Sequence, residues 1–362
     1  MRIIDRYILK HTTRGYIFVL IIFIGLFIIV DLFTNLFDFL KAKVSLSSLI
    51  AYYIYMIPLI FKLVSPYALL ISVLYTFGEL NKNNEIISIR VAGISIFRFT
   101  LPVMVFSFLI SIFTLFIQEN LLMKFQSKVE NIKIHSFKKN TSAIDKQTDI
   151  SFSSGNMVFF AQRFLPKENT LNYVTVFIED KNGNITDKIS CDKMVYENKK
   201  WICKEAINYK LDQEGKVFDK AKVLPTLEIP LQDTPQEILL KKNILSQFAS
   251  LKMLRKEMLH LRKIKAYNKF LNAFIEYNQR IVEPFSHLFL VIGIIPFATE
   301  IKKRHIGFSA LGVGFIFGFI YYCFLYLSIA LGKSGLILPF FSAWLVPLFF
   351  IIVGFLGMYL IR

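Results

Sequence analysis

Cysteine, histidine and tryptophan are scarce in this 362-residue chain: three, five and two residues. The histidines, His11, His135, His260, His287 and His305, lie far apart, so no pair has metal-ligand spacing. Three cysteines make no disulfide framework. Cys191 and Cys203 would pair only if the compartment oxidises and the register brings them together, and both outcomes stay open. Nucleotide motifs are missing as well. The "GKS" at 332–334 resembles the end of a Walker A loop, but the residue five before Gly332 is Leu327, not Gly, and no strand precedes it. The "GVGFIFG" at 312–318 lacks G-x-G-x-x-G spacing and lies inside an apolar run. No ATP site and no nucleophile–base constellation stands out, which argues against an enzyme. Acidic residues are also few, 26 against 43 basic ones, for a net charge of +17.

Apolar residues are abundant. Their fraction of 54% and a mean hydropathy of +0.51 belong to a polytopic membrane protein. Six runs are long enough to cross a bilayer core, near 15–40, 49–77, 99–119, 273–299, 306–331 and 338–361. The opening "MRIIDRYILKHTTR" looks like a signal-peptide n-region. However, the run behind it is too long for an h-region and ends without a cleavage site, so it reads as a retained span. Orientation follows the Lys/Arg bias of the short segments. Arg2, Arg6, Lys10, Arg14, Lys82, Arg90, Arg98, Lys302, Lys303, Arg304 and Arg362 lie on one side and Lys41, Lys43 and Lys333 on the other, eleven against three. Both termini are therefore expected in the cytoplasm.

The expected layout is 1–119 with three helices, 120–272 as an outer domain, and 273–362 with three more: a 3+3 helical membrane protein with an all-β insertion. From about 141 to 231 the sequence alternates β-branched and aromatic with polar residues, broken at Asn182-Gly183 and Glu214-Gly215. A sandwich, a jelly roll or an open curved sheet all fit. A basic helix is expected over 234–269, opening on a Thr234/Glu237 capping box. The Lys/Arg surplus of residues 120–270 suits an anionic partner, lipid headgroups or a plain solvated surface.

The connector "GELNKNNEIISIRVAGISIF" at 78–97 is unusual between two spans. Asn83 or Asn84 is placed to cap, Glu85 opens a helix near 84–92, and Gly93 stands where a C′ glycine ends one. Two turns are marginal in water, so Ile86 and Ile89 must bury somewhere. One reading packs them on the chain's own spans, with Glu85 and Arg90 matching the helix dipole. The other makes the segment a coupling helix that docks into a separate ATPase. Further along, Ala310, Gly314 and Gly318 form a small-residue face for close helix packing, within the chain or between subunits. Ionisable residues inside spans each ask for a reason. Asp31 shares a face with Asn35 and Asp38, with Lys41 and Lys43 following at its end. Lys62 lies between Pro58 and Pro66. Glu276, Arg280 and Glu283 stand at i, i+4 and i+7 before Pro284. Snorkelling with local ion pairs is the plain reading, and a polar cavity between helices, taking in Asp31, Lys41, Lys43, Lys62, Arg280 and Glu283, is the functional one.

Three stretches carry a family resemblance: "RIIDRYILK" at the start, "SPYALLISVLYTFGELNKNNEIISIRVAGIS" at 65–95 and "NQRIVEPFSHLFLVIGIIPFA" at 278–298. With a looser match at "ISCDKMVYENKKWICKE", the chain resembles the LptF/LptG (YjgP/YjgQ) permeases of lipopolysaccharide export, the "DRYI" opening being more LptG-like. The resemblance implies a paralogous permease partner, an LptB-like ATPase dimer holding ATP and Mg, and a jellyroll-like outer domain that passes lipid to LptC/LptA-like proteins. It implies that Glu85 and its neighbours form the coupling helix, that cavity cations meet glycolipid phosphates, and that this chain needs no cofactor and no nucleic acid. Asn35 departs from the family, standing where a basic residue is expected. A scaffold or sensor without transport is the alternative, and a lipid-acting enzyme a further one.

Overall fold

The computed structural model describes residues 3–136, 147–154, 157–165, 168–179, 185–197, 200–210, 222–229, 231, 235, 250–263, 267–300 and 306–360. The chain divides into two compact units, Met1–Val129 with Ser250–Arg362, and Glu130–Ala249. These boundaries differ from 119/120 and 272/273 because helix continues past the apolar runs on both sides.

The first unit is helical. α1 covers Ile3–Lys41, α2 Leu46–Lys82, α3 Glu85–Val91 and α4 Ile96–Ile117. A π-turn at Gln118–Leu122 leads into α5, Met123–Ser136. After the second unit come α6 (Leu251–Lys263), α7 (Tyr267–Val282), a 3-10 turn at Glu283–Phe285, α8 (Ser286–Glu300), α9 (Ile306–Lys333) and α10 (Pro339–Leu360). Six helical stretches are long and apolar enough to cross a membrane: Ile3–Lys41, Leu46–Lys82, Ile96–Lys133, Lys269–Thr299, Ser309–Lys333 and Pro339–Leu360. The six expected spans are all present, but the first begins a dozen residues early and the third ends well beyond 119. Charged residues at their ends continue the helix rather than stopping it. At 1.5 Å per residue, α1 is about 58 Å long, well over the roughly 30 Å of a bilayer core.

α2 is the hub, packing on α1, α8 and α9. Its stretch from Ala68 to Phe77 supplies Ala68, Leu69, Leu70, Val73, Leu74 and Phe77 to the bundle core. The face of Ala310, Gly314 and Gly318 is resolved as packing within the chain. A Cβ at Gly314 would lie 2.7 Å from Ile71, and one at Gly318 would lie 2.5 Å from the Tyr67 ring. Only glycine lets α9 approach α2 this closely.

The basic segment is helical over Leu251–Lys263, and a separate helix starts at Tyr267. Thr234 and Glu237 lie outside the described residues, as do the Asn182-Gly183 and Glu214-Gly215 turns, Arg2, Lys302, Lys303, Arg304 and Arg362. α6 is capped by Ser250, whose Oγ accepts from the Met253 N–H at 3.3 Å. Both Glu119 carboxylate oxygens also accept from the Leu251 N–H, at 3.0 and 3.1 Å. That places a negative charge at the positive helix end.

The second unit holds β1 (Gln147–Ser154), β2 (Met157–Leu165), β3 (Thr170–Glu179), β4 (Ile185–Glu197), β5 (Lys200–Lys210) and β6 (Lys222–Ile229). All pair antiparallel in sequence order, β1-β2-β3-β4-β5-β6. Among the described residues the insertion carries one antiparallel sheet, and its strand order is that of a meander. A crease crosses it. Buried rows Ala161–Val174–Cys191–Ala206 and Phe164–Leu171–Met194–Cys203 are separated by two successive residues in each strand, not one. Gln162 and Arg163, Asp192 and Lys193, and Lys204 and Glu205 are all exposed. Tyr173 and Glu205 have positive φ, 52° and 56°. One extra residue per strand keeps the apolar side chains of both rows on the same face across the irregularity. Cys191 and Cys203 form a disulfide across this crease, with Cα atoms 6.0 Å apart.

Candidate functional site

Two places in the helical unit gather unusual residues: the α3 connector and a polar seam between α2 and the α7–α8 span. α3 is seven residues long. Asn84 precedes it in a left-handed conformation, φ 59°, and makes no side-chain capping bond. The expected asparagine cap is thus absent, and Asn83 instead donates to the Glu85 carboxylate at 3.3 Å. The far end follows expectation. The Gly93 N–H donates to the Arg90 carbonyl at 2.9 Å and the Ile94 N–H to the Ile89 carbonyl at 3.3 Å. With φ +77° at Gly93, this is a Schellman ending, open to glycine at little cost.

The apolar residues of α3 divide between two faces. Ile86 is 2% exposed within the bundle core, and Ile89 packs partly against that core. Ile87 and Val91 point outward, 44% and 83% exposed. Ile86 is therefore an anchor into its own subunit and not an outward contact, because the i, i+3 spacing of Ile86 and Ile89 turns both toward the same neighbours. The ends of α1 and α4 brace this region. Arg98 donates to both Asp5 oxygens at 3.2 and 3.3 Å, and the Tyr7 hydroxyl reaches Glu85 at 3.5 Å.

In the seam, Lys62 donates to Glu283 Oε2 at 2.8 Å, both side chains being under a fifth exposed. Gln279 donates to the other oxygen, Oε1, at 2.6 Å. Two helical turns of α2 separate Pro58 from Pro66 around Lys62, and Glu283 opens the 3-10 turn that holds Pro284. Both partners thus come from points where proline interrupts the backbone ladder. One turn deeper, the Tyr16 hydroxyl lies 2.7 Å from Ser65 Oγ, which lies 2.8 Å from His287 Nε2. His287 Nδ1 is 2.9 Å from the Pro284 carbonyl. A carbonyl only accepts, so Nδ1 carries the proton, Nε2 accepts from Ser65, and Ser65 accepts from Tyr16. This directed chain ties α1, α2 and α8 inside the bundle. Tyr322 of α9 adds a bond to Ser286 at 3.0 Å.

The expected cavity residues do not form one group. Lys62 and Glu283 meet directly. Arg280 is buried in the field of Glu283, Glu276 and Glu119, but the two glutamates nearest it in sequence pair with other helices, Glu283 with Lys62 and Glu276 with Lys333 at 3.0 Å. The expected local trio is thus opened by partners from α2 and α9. Asp31 accepts from Asn35 at 3.1 Å and from Tyr53 at 3.2 Å. Tyr53 stands nine residues from Lys62, about 14 Å along α2. Lys41 lies over the Phe37 ring at 4.4 Å. Lys43 takes φ 49° in the turn to α2. Sequence reasoning missed Tyr16, Ser65, His287 and Gln279. The signal was a serine beside Pro66 and a histidine three residues after Pro284, both in apolar runs, which single-residue spacing does not join.

Six apolar spans in a 3+3 layout, with an antiparallel sheet inserted between the third and fourth, define a multi-pass membrane protein carrying a β domain. Polar residues buried mid-span, paired between helices, are the pattern of membrane proteins that move or bind something there. The chain belongs to the LptF/LptG family: the family model for the lipopolysaccharide export system permease LptF/LptG matches residues 6–361. Members are transport permeases, not enzymes, and membership implies an Lpt complex with lipopolysaccharide. The match covers LptF and LptG together and does not separate them. No curated protein matches the chain.

Proposed function

We propose that this chain is the permease subunit of an ATP-driven exporter that extracts lipopolysaccharide from the bacterial inner membrane and hands it to a periplasmic bridge. The observation that carries the reading is the family match over 6–361. In this reading both termini and α3 are cytoplasmic and the β domain is periplasmic. A paralogous LptF/LptG chain completes the membrane part, an LptB-like ATPase dimer binds ATP and Mg, and LptC/LptA-like proteins receive the lipid.

The structure supplies a mechanical rationale. α3 is fixed to the bundle by Ile86 and Ile89 and presents Ile87 and Val91 outward. A load on that outward face passes into α2, which α3 follows after a two-residue turn. α2 carries it some 30 Å to Lys62, where the pair with Glu283 transmits it to the α7–α8 span. Arg280, Lys41 and Lys43 supply cations for glycolipid phosphates. The apolar face of the sheet receives acyl chains. Glu85 is the charged residue of α3 offered to a basic site on the ATPase. In proteoliposomes with the complete complex, Glu85→Arg should leave ATP hydrolysis running while lipid extraction is lost. Unchanged extraction refutes the role of Glu85.

A further inference from the structure

We propose that Tyr7, in the opening turns of α1, is a positioning residue for the Glu85 carboxylate of α3. The inference rests on the transport reading, in which Glu85 meets a basic site on the ATPase, and adds how that carboxylate is held for it. Glu85 Oε1 accepts two hydrogen bonds, from the Tyr7 hydroxyl at 3.5 Å and from Asn83 Nδ2 at 3.3 Å. Among the described residues Oε2 accepts none, and Glu85 has no ion pair. One oxygen is therefore held by the chain itself. The other keeps its lone pairs for an amino or guanidinium group of a partner.

The two donors differ in kind. Asn83 stands two residues before Glu85 and moves with it, whereas Tyr7 is 78 residues away in sequence. Tyr7 thus refers the carboxylate to a separate helix, and that helix is itself fixed at this end. The Tyr7 ring packs on His11, centroids 4.6 Å apart, and His11 Nδ1 lies 4.0 Å from Glu79 near the end of α2. Tyr7 and His11 share this face of α1 at i, i+4. On another face Asp5, Ile8 and Thr12 are buried at i, i+3 and i+7. There each Asp5 oxygen accepts from Arg98, in the first turn of α4. The opening of α1 is thus tied to both helices that flank α3. A glutamate left to solvent loses rotamer freedom on docking, a handicap of roughly fivefold in affinity. Donors that already hold it remove part of that loss. The Tyr7 bond is long, so its absence should show in docking and coupling and not in the stability of the fold.

The test compares the parent, Tyr7→Phe, Glu85→Ala and the double variant in the complete complex. One readout is lipopolysaccharide extracted per ATP hydrolysed in proteoliposomes. The other is the ATPase concentration that half-saturates rebinding to the permease pair in nanodiscs, which stays measurable where extraction is lost. Tyr7→Phe keeps the ring on His11 and removes only the hydroxyl, so its melting temperature should match the parent. Rebinding should weaken roughly threefold, the effect of one exposed hydrogen bond, and the extraction ratio should fall with it. Glu85→Ala should weaken rebinding further, and in that background Tyr7→Phe should change nothing, because Tyr7 acts through the carboxylate. Unchanged rebinding in Tyr7→Phe, with a loss in Glu85→Ala, overturns the inference and leaves the transport reading standing. An equal loss from Tyr7→Phe in both backgrounds also overturns it, since Tyr7 would then act elsewhere. Glu85→Ala behaving as the parent, or a parent without ATP-driven extraction, overturns the inference together with the reading beneath it.

Discussion

Removing one member of the Lys62–Glu283 pair should cost far more than removing both. At 2.8 Å and under a fifth exposed, the two charges compensate each other in a span. Lys62→Met leaves Glu283 with the Gln279 bond and the more distant charge of Arg280. Breaking a buried pair in this way typically costs about 3–5 kcal/mol. A second route bounds the figure, because the orphaned carboxyl can take up a proton. At pH 7, for a group that ordinarily titrates near 4.3, that costs about 3.7 kcal/mol. Both routes put Lys62→Met and Glu283→Met each about 3–4 kcal/mol below the parent. The Lys62→Met/Glu283→Met double variant should return to within about 1 kcal/mol, since an apolar pair of similar volume is tolerated. Equilibrium unfolding in mixed micelles reads this from tryptophan fluorescence. A Trp201→Phe background leaves Trp344, which donates to Asn278 in the bundle, as reporter. Additive single effects would refute the claim that this pair holds α2 to the fourth span.

Two further outcomes follow from packing and cross-linking. Gly318→Ala puts a Cβ 2.5 Å from the Tyr67 ring, so it should destabilise by about 1–3 kcal/mol. Combined with Tyr67→Ala, the loss should be smaller than the sum in the same micelle assay, whereas simple additivity would mean α9 does not pack there. Cys191→Ser/Cys203→Ser opens a link spanning a separation of 12 residues and should lower the stability of the sheet by about 3 kcal/mol from loop entropy. Trp201 fluorescence, with and without reductant, measures it; a parent protein indifferent to reductant would show that the cysteines are not bridged.

The spans were legible because a 20-residue apolar run has few other uses. Their ends were not: Arg6, Lys10 and Arg14 lie on α1, and Gln118 lies on a π-turn inside the third span, where hydropathy has already fallen. The Gly93 ending of α3 was readable, since positive φ favours glycine, yet Asn84 spends its conformation on the turn and leaves capping undone. Which isoleucine faces inward depends on neighbours that local spacing does not name, so Ile86 read as a docking residue when the bundle buries it. Cys191 and Cys203 meet because of the crease, a long-range register property. The Tyr16–Ser65–His287 chain joins three helices through links that span 49 and 222 residues of sequence, beyond the reach of any periodicity.

The account depends on α3 being gripped from inside by its own bundle and touched from outside by a motor. Photo-crosslinkers placed at Ile86, Ile87 and Val91, one at a time, in the complex isolated from membranes test this directly. Positions 87 and 91 should yield a product with an ATPase subunit, while position 86 reacts only within the chain. Intermolecular product from 86, or none from 87 and 91, would contradict it.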